Sequence, residues 1–152
     1  MTPRPLAALA LAAALAWPAG ARPQASAPSP AEMHHRHGDP KAYIASLDDP
    51  ARDAYQKPAE VVKALALREG EVVADIGAGS GYFAVRLARA VGPTGRVYAV
   101  DVSPDMIRHL GRRVLREERL ANVVPVLCEP DDPLLGDASV DRVVIVNTRK
   151  YW

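Results

Sequence analysis

Cysteine is almost absent from this sequence of 152 residues, since Cys128 is the only one. A single cysteine cannot form an intramolecular disulfide, so cysteine content does not indicate the compartment. No cysteine lies near the N-terminus, which argues against a lipoprotein. Compartment has to be inferred from the N-terminal segment instead.

Neither sign of charge is in excess. The chain has 19 Lys and Arg against 18 Asp and Glu, which gives a formal net charge of +1. We therefore predict no nucleic-acid partner, because proteins that bind nucleic acids usually carry an excess of basic residues. With 24% charged and 49% hydrophobic residues the sequence is not that of a wholly disordered protein. One globular domain is predicted.

A membrane-spanning helix needs about 20 apolar residues, and the apolar run at residues 6–17 is shorter than that. This run follows Arg4 and precedes Ala19-Gly20-Ala21, a small-x-small sequence typical of signal-peptide cleavage. We predict a signal peptide over residues 1–21, a periplasmic or secreted protein, and no stable membrane span after cleavage. An uncleaved anchor is the competing interpretation.

Residues 22–40 are rich in Pro, Ala, Ser and Gln, which predicts a disordered linker before a domain at residues 41–152. The linker contains His34, His35 and His37. Three imidazoles could hold a transition metal, but metal sites usually recruit further ligands from elsewhere, and none stands out. We predict no metal site and assign no role to the three histidines.

The position of the third glycine disfavours a dinucleotide-binding loop. Residues 72–76 form a short apolar, β-branched run, and a Gly-x-Gly-x-x-Gly fingerprint counted from Gly77 and Gly79 needs a glycine at Tyr82. The third glycine is Gly81 instead, which disfavours NAD. Apolar residues at helical spacing follow, so the glycine turn joins a strand to a helix: they are Phe83, Ala84, Leu87, Ala88 and Val91.

The pattern Asp75-x-Gly77-x-Gly79-x-Gly81-Tyr82 resembles motif I of the class I S-adenosylmethionine (SAM)-dependent methyltransferases. SAM offers an ammonium and a carboxylate rather than phosphates. Asp75 suits the ammonium, and bare glycine backbone can approach the rest of the cofactor closely. The resemblance therefore implies SAM as the cofactor, with all five of these residues at its binding site.

Asp101 ends a second apolar strand, a little over 20 residues beyond the glycine loop. A Rossmann-type fold has at this position the carboxylate that accepts hydrogen bonds from the ribose hydroxyls. Asp101 is predicted to do so. The alternative is that Asp101 caps the next helix, although Ser103 followed by Pro104 is a better cap.

Further apolar runs at residues 96–101, 122–128 and 142–146 have the composition of buried parallel strands, with helical patterns at 58–70 and 104–120. The resemblance implies an α/β, Rossmann-like three-layer sandwich with a partial parallel sheet of order 3-2-1-4. Pro125 fits this order because a proline in a strand favours an edge position.

The resemblance also implies roles near the ends of strands three and four. An acid past strand three meets the adenine amino group in these enzymes. Glu129 falls on that position with Asp131 as the near alternative, and a plain acidic turn competes with both. Asn147, after strand four, would face the transferable methyl. Because methyl transfer mainly requires alignment, the catalytic residues stay unassigned.

From about residue 43 to Thr148 the sequence is similar to exported class I methyltransferase-domain proteins, and around Gly79–Tyr82 to protein-L-isoaspartate O-methyltransferases. The exported proteins continue with three more strands after strand four, so we expect this chain to be C-terminally truncated. An open strand-four edge would then favour self-association.

The predicted function is transfer of a methyl group from SAM to an unidentified acceptor. A non-catalytic, SAM-binding or self-associating module is the alternative, motivated by the missing acceptor half. A nicotinamide-dependent oxidoreductase is a third hypothesis that rests only on the Rossmann-like opening.

Overall fold

A computed structural model describes residues 39–148. The predicted signal peptide, His34, His35, His37 and nearly all of the predicted linker lie outside the described residues. Among residues 39–148, no helix is long and apolar enough to cross a membrane.

The described chain alternates helices and strands. In order they are α1 (Pro40–Asp48), a 3₁₀ turn (Pro50–Arg52), α2 (Asp53–Gln56), α3 (Pro58–Leu65), β1 (Val72–Ile76), α4 (Ala84–Val91), β2 (Arg96–Asp101), α5 (Pro104–Arg112), a π-helical turn (Arg113–Glu117), β3 (Val123–Leu127) and β4 (Arg142–Ile145).

Two helices begin at an Asp-Pro or Ser-Pro pair. The Asp39 side chain accepts hydrogen bonds from the amides of Lys41 and Ala42, and Pro40 is the first residue of α1. Ser103 caps α5 in the same way, with Pro104 as its first residue. Proline suits this position because its missing N–H would have no partner there. Ser103 therefore has the capping role predicted for it.

The four described strands form one parallel sheet of order β3-β2-β1-β4, as predicted. Val73 in β1 lies opposite Val97 in β2 and Arg142 in β4, so β1 is central. Pro125 pairs with Ala99 from the outer strand β3. The edge position predicted from Pro125 is confirmed.

Side chains alternate between the two faces of the sheet and form two apolar clusters. On one face α4 and α5 pack against the strands, with Leu87 and Leu110 fully buried. Truncating such a residue to alanine typically costs about 2–5 kcal/mol. Within residues 39–148, Leu135 and Val140 of the segment before β4 pack against the other face.

The amino end of the sheet is closed by charged side chains. The Glu71 carboxylate accepts hydrogen bonds from Arg68 Nε at 3.0 Å and from Arg142 Nε at 3.1 Å. Asp141 Oδ2 accepts one from the Val72 amide at 2.8 Å. These contacts fix the start of β4 against the start of β1, which sets the register of the two strands.

Candidate functional site

A cavity of about 190 Å³ opens at the carboxyl ends of β1, β2 and β4. Ligands of open parallel sheets bind at this edge, where the strand order reverses. Six of the predicted binding residues line the cavity together: Asp75, Gly77, Gly79, Tyr82, Asp101 and Asn147.

Gly81 does not line the cavity, although it belongs to the same glycine turn. Its φ is +86°, and a Cβ at this position would lie 3.2 Å from Leu110 Cδ1. Left-handed backbone favours glycine because other residues clash with their own main chain there. The structure therefore gives Gly81 a packing role between the turn and α5.

Glu129 and Asp131 lie in the loop after β3 and are both exposed. The Glu129 amide donates to the Asp132 carbonyl at 3.0 Å, which closes a tight turn. Neither acid lines the cavity among the described residues. The adenine-binding role of Glu129, or of Asp131, stays a prediction.

Asp75 is 3% exposed and lies at the bottom of the cavity. Its Oδ2 atom has no hydrogen-bond partner among the described residues, while the Ala84 amide donates to the carboxylate. Burial, followed by repulsion from Asp101, raises the pKa of Asp75 to about 7. A buried acceptor without a donor is costly, so this oxygen is suited to bind a ligand donor.

Asp101 holds two loops together at the edge of the cavity. Its Oδ2 accepts a hydrogen bond from the Gly79 amide at 2.8 Å, and its Oδ1 accepts one from the Ser103 amide at 2.9 Å. A carboxylate has about four acceptor positions, so these bonds are compatible with the predicted bonds to ribose hydroxyls.

The first glycine of the turn allows a close approach between two chain segments. Gly77 has a φ of +74°, and a Cβ there would lie 2.2 Å from Thr148 Oγ1. Its amide donates to the Val100 carbonyl at 2.8 Å, which anchors the turn to β2. Only glycine fits between these neighbours.

In the N-terminal segment, the residues that line the cavity differ from Tyr55 and Gln56, which the family resemblance implies as a cover of the cofactor site. Tyr43 and Leu47 of α1 and Arg52 of the 3₁₀ turn lie along one side of the cavity. Leu47 Cδ1 would lie 3.2 Å from a Cβ placed on Gly79, so α1 covers the glycine turn. The Asp39-Pro40 pair was the available sequence signal for this helix.

Ion pairs attach α1, the helix that covers the glycine turn, to α5 and to the residue after it. Asp48, the last residue of α1, accepts a hydrogen bond from Arg113 Nη1 and lies 2.9 Å from His109 Nε2. All three side chains are partly buried, so these contacts are screened less than surface pairs. The end of α1 is therefore held against α5 and the residue after it.

Tyr82 lies between two guanidinium groups. Arg52 Cζ is 4.2 Å and Arg86 Cζ is 4.1 Å from the centre of its ring. The Tyr82 hydroxyl donates to Asp53, which also accepts from Arg86 Nη2 at 3.0 Å. Burial, followed by the bond to Asp53, raises the pKa of Tyr82. Cation–π contacts of this kind hold the segment at residues 52–53 against the glycine turn.

Within residues 39–148, no three His, Cys, Asp or Glu side chains lie close enough together to hold a metal ion. The described part of the site is a cavity with a mainly apolar lining that also includes glycine backbone, carboxylates and a guanidinium.

A sequence family described as "Methyltransferase domain" matches residues 73–152, more than half of the chain. The chain belongs to the methyltransferase-domain family. The predicted membership of the class I SAM-dependent methyltransferases is thereby confirmed, and so is the Rossmann-like fold with strand order 3-2-1-4.

Similar proteins support the same assignment. A solved SAM-dependent methyltransferase from Aquifex aeolicus superimposes with a TM-score of 0.67 and 35% sequence identity, over 72% of this chain and 57% of that one. The protein-L-isoaspartate O-methyltransferase of Methanothrix thermoacetophila is 37% identical over 81 residues, which are 53% of this chain and 38% of that protein.

The demethylmenaquinone methyltransferase of a Geobacillus species is 34% identical over 64 residues, 42% of this chain and 27% of that protein. The methyltransferase-domain chain therefore spans well under half the length of either curated relative. The predicted cofactor, SAM, is supported by the family and the Aquifex structure.

The cavity fits this cofactor chemically. A sulfonium-bearing amino acid presents an ammonium. This ammonium can donate a charge-assisted hydrogen bond to the Asp75 oxygen that has no partner within the described chain. The backbone at Gly77 and Gly79 leaves room for close approach, and Asp101 provides acceptors for hydroxyl groups.

Proposed function

We propose that this chain binds SAM in the cavity at the carboxyl end of the sheet and transfers its methyl group to an acceptor. The observation that carries the proposal is Asp75, a buried carboxylate whose Oδ2 has no partner among the described residues. This oxygen lies in the same cavity as Asp101 and the glycine turn. A cationic ligand end would compensate the buried charge.

When bound, SAM supplies an electrophilic methyl group on a sulfonium. The chain's own residues bind and orient: Asp75 accepts from the ammonium, Asp101 accepts from the ribose hydroxyls, and Asn147 orients the acceptor. α1 covers the cavity and excludes water. Alignment of two reactants is sufficient to give a large rate increase, so no general base is assigned.

The direct test is calorimetric titration with S-adenosylhomocysteine (SAH), the demethylated product, and separately with NADH. We expect saturable binding of SAH and none of NADH. Asp101→Ala should weaken SAH binding about tenfold through loss of charged hydrogen bonds. Saturable binding of NADH without binding of SAH would instead support the nicotinamide hypothesis.

We assign no methyl acceptor to this chain. The two curated relatives match 53% and 42% of this chain, yet they are named for a protein isoaspartate and for demethylmenaquinone. Release of SAH from SAM in the presence of candidate acceptors would identify the acceptor class. Without such release, the non-catalytic alternative would be favoured.

We also propose that residues 1–21 direct export to the periplasm or beyond. The support is the arginine, the short Leu- and Ala-rich run and the small-x-small sequence. N-terminal sequencing of the protein from fractionated cells should give a chain that begins after residue 21. An intact N-terminus in the cytosolic fraction would contradict export.

Self-association through β4 is the alternative role. Among the described residues β4 pairs only with β1, and its Val143 and Ile145 side chains are each 56% exposed. An unpaired apolar edge strand can pair with the same strand of a second copy. Light scattering should then give a dimer that Val143→Lys dissociates; a monomeric wild type would exclude this role.

A further inference from the structure

Arg52 is the only cationic side chain that lines the cavity in the described part of the chain. The other charged residues of the lining are the acids Asp75, Asp101 and Asp105. None of the ion pairs formed within residues 39–148 includes Arg52. The cavity therefore presents one guanidinium that no carboxylate of the described chain neutralises.

The Arg52 guanidinium is held in place by contacts that leave most of its donors available. Its plane lies over the Tyr82 ring, with Cζ 4.2 Å from the ring centre, and Nη1 donates to the Leu47 carbonyl. A guanidinium has five N–H donors in a rigid fork that matches a carboxylate. A ligand carboxylate could thus bind without the side chain reorganising, which lowers the entropic cost of binding.

Arg52 and Asp75 are linked through the start of α4. Tyr82, which Arg52 contacts, precedes α4 by two residues, and the first amide of that helix, at Ala84, donates to Asp75. Asp101, by contrast, is the last residue of β2 and accepts a hydrogen bond from the Ser103 amide. The cavity thus combines a cation and an anion beside the glycine turn with a separate acceptor for hydroxyl groups.

We infer that Arg52 binds the carboxylate of the amino-acid end of the cofactor, while Asp75 binds the ammonium beside it. This inference rests on the proposed function, because it assigns a further residue to the same cofactor site. A zwitterionic α-amino acid is the ligand end that requires one charge of each sign at short range. Arginine suits this role better than lysine because it can donate two parallel hydrogen bonds.

Two ligands that differ only in this end test the inference. SAH carries the amino acid, whereas 5′-methylthioadenosine keeps the adenine, ribose and thioether without it. Arg52→Gln should weaken SAH binding about 10- to 100-fold, as expected for loss of hydrogen bonds between charged groups. Binding of 5′-methylthioadenosine should change less than about twofold. Calorimetry of the full chain gives both dissociation constants.

Arg86→Gln is the matched control. Arg86 contacts the other face of the same Tyr82 ring at 4.1 Å but pairs with Asp53 and does not line the cavity. Its removal should leave the ratio of the two affinities unchanged. Arg52→Lys, which keeps the charge and loses the fork, should give an intermediate SAH affinity.

Three outcomes would overturn the inference. Arg52→Gln could leave SAH binding unchanged, or weaken both ligands equally, which would make Arg52 a support for α1 and Tyr82. Arg86→Gln could also produce the same selective loss of SAH. A wild-type chain that binds neither ligand would refute the proposed function itself, so the two failures are distinguishable.

Discussion

The two ends of β1 hold buried carboxylates in opposite electrostatic states. Glu71, at the amino end, is 7% exposed and accepts hydrogen bonds from the Arg142 and Arg68 side chains, which lower its pKa from 4.5 to about 2. Asp75, at the carboxyl end, is 3% exposed, and burial together with Asp101 raises its pKa to about 7.

The difference supports a structural role for the charge of Glu71 and the proposed ligand-binding role for the charge of Asp75. Glu71 is compensated within the fold by two guanidiniums, so its charge helps fix β4 against β1. Asp75 has an oxygen with no hydrogen-bond partner among residues 39–148, so its negative charge is disfavoured until a cation binds. Strongly perturbed carboxyl groups of the second kind concentrate at binding and catalytic sites. One strand thus has a stabilising end and, at Asp75, the end proposed to bind the ligand.

The largest effect is expected from Asp75→Asn, which removes the uncompensated charge. SAH binding at pH 8 should weaken about 100-fold, because a charge-assisted hydrogen bond to the ammonium is lost. The melting temperature without ligand should rise, because a pKa raised from 3.8 to about 7 means that Asp75 destabilises the fold increasingly above pH 3.8 and fully above about pH 7. Calorimetry and thermal unfolding measure the two effects.

Asp105→Asn is the control, since Asp105 also lines the cavity but is paired with Arg108. It should alter SAH affinity less than about threefold. Wild-type affinity in Asp75→Asn would contradict the functional assignment of this end of β1.

The pH dependence of SAH binding should give the next largest effect. With a pKa of about 7, the ionised fraction of Asp75 rises from about one tenth at pH 6 to about nine tenths at pH 8, so affinity should increase roughly tenfold. Titrations at several pH values between these limits measure it. Asp75→Asn should show a flat profile, and a slope that persists in this variant would assign the titration to another group.

At the stabilising end, Glu71→Gln should lower the melting temperature by about 5 °C at pH 7 and leave SAH affinity within about twofold. The sign follows from the lowered pKa: the stabilisation by ionised Glu71 is complete above pH 4.5 and is lost as the pH falls towards 2. The difference between variant and wild type should therefore shrink in acid. Equal melting temperatures at pH 7 would show that Glu71 is not stabilising.

Much of the carboxyl end of the sheet could be predicted from the sequence. Asp75 and Asp101 each lie within an apolar run at strand-to-loop boundaries, and parallel strands bring such boundaries together. The strand order followed from the family resemblance and agreed with Pro125. These features depend on short-range patterns, which a single sequence displays directly.

The cover over the cavity could not be predicted in the same way. Arg52 and Leu47 flank Asp48, which pairs with α5 and the residue that follows it, a contact between residues more than 60 positions apart. Gly81 has a place in the motif that predicts contact with the ligand, and in the structure its neighbour is Leu110. Both cases depend on tertiary packing, which spacing along the chain does not encode.

The smallest predicted effect separates the two partners of Glu71. The Arg68 side chain is 81% exposed and that of Arg142 38% exposed, and exposed ion pairs contribute only about 0–1 kcal/mol. Arg68→Gln should therefore lower the melting temperature by about 2 °C or less, and Arg142→Gln should lower it more. Thermal unfolding of both variants at low and at high salt measures the difference. If Arg68→Gln had the larger effect, the compensation of Glu71 would be local to its own loop and would not join β1 to β4.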